Sequence, residues 1–176
     1  MKDLASDAVI NAIYNGIKRD IEVAISNNCL RAGVILIYAG MDAMAFLNMP
    51  PGKTEVARKD FIKWADKYVE FPCINQISGV DFYGARCSML HAYGAVSKLS
   101  KSGECRMIGY MDKSMPEVRY NPKISAEIVL VSIPALKNAF FNGIDKFLLD
   151  VFSDKAKAKI VEERLETFVH AFPAKK

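Results

Sequence analysis

Within eight residues, Arg86-Cys87-Ser88-Met89-Leu90-His91-Ala92-Tyr93, the chain gathers a guanidinium, a thiol, an imidazole and a phenol. One reaction uses the first and third of these without a metal: cleavage of RNA by its own 2′-hydroxyl. An imidazole titrating near pH 6.5 takes the nucleophile's proton or returns one to the leaving 5′-oxygen, and a guanidinium holds the phosphoryl oxygens bidentately as charge builds. On an ideal helix Arg86 and His91 stand about 140° apart, while Arg86 and Tyr93 are nearly eclipsed. Both members of the first pair therefore border one groove only at an exposed helix end or where two subunits meet. In a symmetric dimer, two copies of Arg86 and His91 facing one groove divide the acid and base roles.

The octapeptide resembles the active-site signature of the HEPN family (higher eukaryotes and prokaryotes nucleotide-binding), whose ribonuclease members carry Arg, four to six residues, then His. It is most similar to the Arg-x4-His-x-Tyr form of toxins paired with a minimal nucleotidyltransferase antitoxin. The resemblance implies an all-helical bundle, a homodimer with the motif at its interface, and metal-independent endoribonuclease activity with no cofactor. Arg86 and His91 are then catalytic and Tyr93 belongs to the site; in such toxins the matching tyrosine is adenylylated to silence activity. Cys87 stands where the family usually has a polar residue, often asparagine. That departure supports a second reading, a non-catalytic HEPN-like module that dimerises or binds a protein or nucleotide. Arg164 and His170 match the looser spacing too, but lack the following tyrosine and are read as a coincidence on a terminal helix.

The elements that must hold this motif follow from periodicity. The 176 residues, 51% hydrophobic and 25% charged, suit one globular domain spanning 1–176. Apolar residues at steps of three and four predict a helix over 4–26. An all-round apolar helix over 30–48 follows, ended by Pro50-Pro51-Gly52. Its span 32–49 is long enough to cross a membrane, but Asp42 near its middle makes a buried core helix the expectation. Thr54 is positioned to cap a third helix carrying Phe61, Trp64 and Tyr68, and residues 80–98 read as a fourth, with Tyr83, Cys87, Leu90 and Gly94 as one stripe. Short β-prone runs at 105–110 and 127–133 predict a small antiparallel hairpin or meander near 104–133, within an insertion at about 100–132. Ser132 then caps a fifth helix with Pro134 in its first turn, and Ser153 or Asp154 a sixth. The predicted fold is mainly α, an up-and-down bundle of about six helices with that β insertion.

Charge sharpens the picture. Arg86 and Asp42 are each isolated on an apolar helix, and an unpaired buried charge is costly, so the two are expected to meet, either fixing helix register or orienting the site. Residues 98–123 hold six basic and three acidic residues, a net of +3. Lys98, Lys101 and Arg106 there are the expected RNA-backbone contacts. The overall charge of +4 permits an anionic partner without requiring one, and two histidines with four scattered cysteines exclude a zinc-ligand pattern. The first residues lack a signal-peptide pattern, and the expected location is cytoplasmic, away from membranes.

Overall fold

The long apolar helix α2, Leu30–Leu47, forms the axis of the molecule because residues on every side of it are apolar. Val34, Ile37, Tyr38, Met41 and Met44 are completely or almost completely enclosed, each such burial stabilising by about 1.5–3 kcal/mol. Around it stand α1 (Arg19–Ser26), α3 (Arg58–Tyr68), α4 (Gly79–Ala92), α6 (Ile133–Phe152) and α7 (Lys155–Leu165), all in contact with α2. The computed structural model describes residues 8–72, 77–112 and 115–168. The fold is a mainly helical bundle with a small three-stranded sheet between α5 (Lys98–Lys101) and α6. By length and composition α2 is apolar enough to cross a membrane, and half of it is buried inside the chain.

Local chemistry accounts for most boundaries. The first helix winds as a π-helix over Ile10–Lys18 before passing into α1. Its wider turn, with i→i+5 bonding, favours steps of four, so Val9, Ile13 and Ile21 face inward with Ile17 beside them. Residues 4–7 of the predicted helix lie outside the described residues. The third helix starts at Arg58 rather than after Thr54, because the Asp60 carboxylate turns back to accept the Ala57 N–H at 2.8 Å and fixes the first turn there. Ser132 caps α6, its hydroxyl accepting from the Ala135 N–H at 3.2 Å, with Pro134 in the first turn. Asp154 caps α7, accepting from Ala156 and Lys157. On that helix Val161 and Leu165 are buried.

The sheet differs from the predicted antiparallel arrangement. Its order is β1-β3-β2, with β1 (Met107–Met111) parallel to β3 (Ile128–Ser132) and β2 (Val118–Arg119) antiparallel to β3. The two β-prone runs are thus strands, but the connection between them is long enough to bring β3 back beside β1 in the same direction. Val129 and Val131 of β3 and Ile108 of β1 point into the core.

Close approach of α6 to the end of α3 depends on Gly143. A Cβ there would lie 2.7 Å from the Tyr68 carbonyl oxygen. Gly143→Ala is therefore expected to destabilise by about 1–3 kcal/mol from the clash with backbone, less the ~1 kcal/mol that alanine gains in a helix. Urea denaturation checks this; an equal or higher midpoint would show that the two helices separate without cost.

Candidate functional site

The helix that carries the motif is anchored at its start. Ser78 caps α4 by accepting the Asp81 N–H at 3.2 Å, and the Asp81 carboxylate accepts in return from the Ser78 N–H at 3.0 Å and hydroxyl at 2.8 Å. The same buried carboxylate receives the Arg106 N–H at 2.7 Å and its guanidinium at 2.6 Å. Burial pushes the Asp81 pKa up, but the bonds from Arg106 and Ser78 outweigh it and leave it below the usual carboxylate range. One residue thus joins the start of α4 to the segment leading into β1.

Two expectations for α4 are corrected. Its inward face is Phe82, Ala85 and Met89 rather than the stripe of Tyr83, Cys87 and Leu90, which is half-buried. Apolar residues surround this helix, so periodicity does not select the face; packing on α2 and α3 does. The helix also stops at Ala92 instead of continuing to 98. Tyr93 adopts a left-handed conformation, φ 51°, and the Tyr93 and Gly94 N–H groups close on the carbonyls of Met89 and Ser88. Lys98 begins a separate short helix capped by Ser97. The motif therefore occupies the last turn and end of a helix, with His91 and Tyr93 exposed.

Asp42 of α2 and Arg86 of α4 meet: Arg86 Nε donates to Asp42 Oδ2 at 2.5 Å, with both side chains about a quarter exposed. The guanidinium lies over the rings of Phe61 and Tyr83, at 5.9 and 5.6 Å. Burial raises the Asp42 pKa, opposed by the hydrogen bond and charge of Arg86 and by the charge of His91. His91 is thus close enough to sense that carboxylate, and its imidazole makes no hydrogen bond among the described residues. Asp42 occupies one of the five guanidinium N–H donors, and the Cys87 sulfur lies 3.9 Å from Nη1; Nη2 has no hydrogen bond among the described residues. The arrangement can hold an anion at the unoccupied edge of Arg86 while His91 moves a proton.

The remaining predicted residues separate. Cys87 is half-buried beside Arg86 and Tyr83. Lys98 and Lys101 are exposed, with no ion pair among the described residues. Arg106 is different: its guanidinium is bound to Asp81 and stacked on Tyr120, 4.8 Å away. Its charge is used inside the fold, whereas Lys98 and Lys101 present theirs to solvent. Arg164, half of the second Arg-to-His match, closes the end of α2 by donating to the carbonyls of Phe46, Leu47, Met49 and Pro50; His170 lies outside the described residues.

Sequence reasoning passed over the surroundings of Tyr93. A cleft of about 770 Å³ runs between that turn, the first turn of α2 and the sheet, lined also by Arg31, Tyr110 and Arg119. Arg31 is the only basic residue of α2, a signal of the same kind that singled out Asp42. A larger groove, of about 1000 Å³, lies along the π-helical stretch and contains no residue of the motif. Among the described residues no cluster of His, Cys, Asp and Glu is suited to a metal ion. Comparison with family models, curated proteins and solved structures finds no match to this chain.

Two outcomes follow from this geometry. With its pKa depressed, Asp81 contributes stability that is complete above the unfolded value of about 3.9 and is lost as pH falls through the folded value. Asp81→Asn should cost about 2–3 kcal/mol at pH 7, a gap that narrows at pH 3; denaturation curves with no such narrowing would contradict the ionised assignment. At Tyr93, the left-handed backbone costs a non-glycine residue about 1–2 kcal/mol, and asparagine tolerates it better. Tyr93→Asn should therefore melt no lower than the wild type, a lower Tm meaning that the exposed ring carries packing.

Proposed function

We propose that the protein is a metal-independent endoribonuclease of the HEPN type, acting as a homodimer and leaving 2′,3′-cyclic phosphate and 5′-hydroxyl ends. The observation that carries the reading is the grouping of Asp42, Arg86 and His91 at the accessible end of α4. Asp42 holds Arg86 by one edge and so orients the other; His91, exposed one turn further on, supplies the base or acid. A single copy offers one imidazole, and pairing two copies about the α4 ends supplies the second. Lys98 and Lys101, just past the motif, suit the flanking phosphates. The exposure of Tyr93, 61%, is compatible with adenylylation by a nucleotidyltransferase-type antitoxin, and such a toxin or defence protein works in the cytoplasm, away from membranes.

One observation favours the second reading. Arg86 is held by Asp42, Phe61 and Tyr83 as a register-fixing pair would be, and Cys87 sits beside it without a strong hydrogen-bonding group. A non-catalytic dimerising or nucleotide-binding module would keep that pair for stability alone.

Incubation with mixed RNA in EDTA separates the two. The wild type should cut, and His91→Ala should lower the rate by about 10²–10⁴-fold with an unchanged Tm, since the side chain is exposed. A folded wild type that leaves RNA intact removes the nuclease reading in favour of the binding module.

A further inference from the structure

The cleft beside Tyr93 has the volume of a small-ligand site. Arg31 and Arg119 both line it, and among the described residues neither side chain has an ion pair or hydrogen bond. Among the described residues Asp112 is the one carboxylate against them, so their part of the lining is net positive. The first turn of α2 enters the same cleft, and the Cys29 side chain does not cap it, so the positive end of an 18-residue helix adds to the field.

The apolar part of the lining is mostly aliphatic, with two tyrosines among it. Tyr110 is fixed by a 2.7 Å hydrogen bond to the hydroxyl of buried Tyr38, while Tyr93 stands free at the turn. Between them runs β1, an edge strand because β3 occupies the middle of the sheet. Five consecutive residues of the chain, 108–112, line the cleft. Arg119 of β2 lines the same cleft from across β3, and with Asp112, Met115, Pro116 and Ile133 it places the cleft at the C-terminal end of β1, where the main chain past Met111 lies outside the strand ladder.

We propose that this cleft is a nucleotide subsite for single-stranded RNA, in which the base stacks on Tyr93 with its polar edge toward the β1 main chain and Arg31 and Arg119 hold the adjoining phosphate. It rests on the ribonuclease reading and extends it, because Arg86 and His91 act on any phosphodiester and carry no preference for a base. Tyr93 follows His91 by two residues, so the subsite and His91 share one end of α4. A peptide strand could pair with the free edge of β1, but it would leave two guanidinium groups and an exposed ring without partners.

The test is titration of the folded protein in EDTA with each of the four ribonucleoside 5′-monophosphates, followed by NMR shifts. Inorganic phosphate, the free nucleosides and an uncharged β-strand peptide serve as separate probes. At least one monophosphate should bind saturably at millimolar concentration, and about tenfold tighter than phosphate or its own nucleoside, since neither fills both halves. Arg31→Ala and Arg119→Ala, surface changes that leave the core intact, should each weaken it several-fold; Tyr93→Asn should erase the difference between bases. The inference is overturned if no nucleotide binds, if phosphate alone binds as well, if the Arg variants bind unchanged, or if only the peptide shifts the β1 resonances. Because these are binding measurements, a wild type that binds nucleotides but leaves RNA uncut counts against the nuclease and not against the subsite. An active nuclease whose base preference survives Tyr93→Asn counts the other way.

Discussion

Asp42 is the only acidic residue on a helix that is otherwise almost wholly apolar, and among the described residues its ion-pair partner is Arg86 of α4. Much of the molecule's arrangement depends on that pair. A carboxylate left alone at this depth would face a penalty of several kcal/mol, so α2 and α4 dock in the register that joins the two charges. Burial still raises the Asp42 pKa despite Arg86, whereas the contact with Asp42 outweighs burial at Arg86 and raises the guanidinium's pKa, so the guanidinium gains from the pair and the carboxylate does not. With the two shifts opposed, the consequence of the pair that geometry supports is register. It excludes alternative slides of two helices whose apolar surfaces would tolerate several, and it leaves His91 and Tyr93 at the same end of the bundle as the cleft.

Asp81 and Arg106 form a second charge pair, in which the carboxylate gains as well. Asp81 collects a cap hydroxyl, two main-chain N–H groups and a guanidinium, and these bonds outweigh burial. It ties the start of α4 to the strand beside which α4 ends. The motif helix is thus located at two points by electrostatics, at its start through Asp81 and in its middle through Arg86. Its last turn, where the exposed residues lie, makes no ion pair among the described residues.

The parts of this arrangement that were legible in the sequence are those governed by local rules. The course of α2 and α6 follows from apolar periodicity, Ser132 with Pro134 marks the start of α6, and Asp42 with Arg86 follows from the cost of a lone charge. The rest depends on information that a linear pattern does not carry. Strand propensity located two of the three strands, but propensity is indifferent to pairing direction, and the parallel β1–β3 ladder is set by how the intervening chain returns. Residues 80–98 read as one helix because tyrosine is an unusual residue for a left-handed terminus; the break lies in a backbone angle. Arg106 was grouped with Lys98 and Lys101 because a charge count treats cations alike, although the Ser78-x-x-Asp81 spacing marks a helix start that holds a carboxylate in place for it. Arg31 and Arg119, 88 positions apart in the chain, share a cleft only after α2 and the sheet have docked.

The left-handed Tyr93 connects these levels. Continuing α4 past Ala92 would carry residue 93 around the helix with the half-buried stripe of Arg86 and Leu90. Reversal of the backbone at this point, completed by Gly94, swings the ring to the rim of the cleft instead. A non-glycine residue in this conformation costs free energy that an adjacent glycine could have avoided by taking the position itself. The chain nevertheless places the aromatic residue in the costly position and the glycine after it. Stability alone would favour the reverse order. A strained, exposed tyrosine next to a histidine, at the mouth of a positively lined cleft, is better accounted for by a surface that presents the ring to a ligand than by one that only ends a helix.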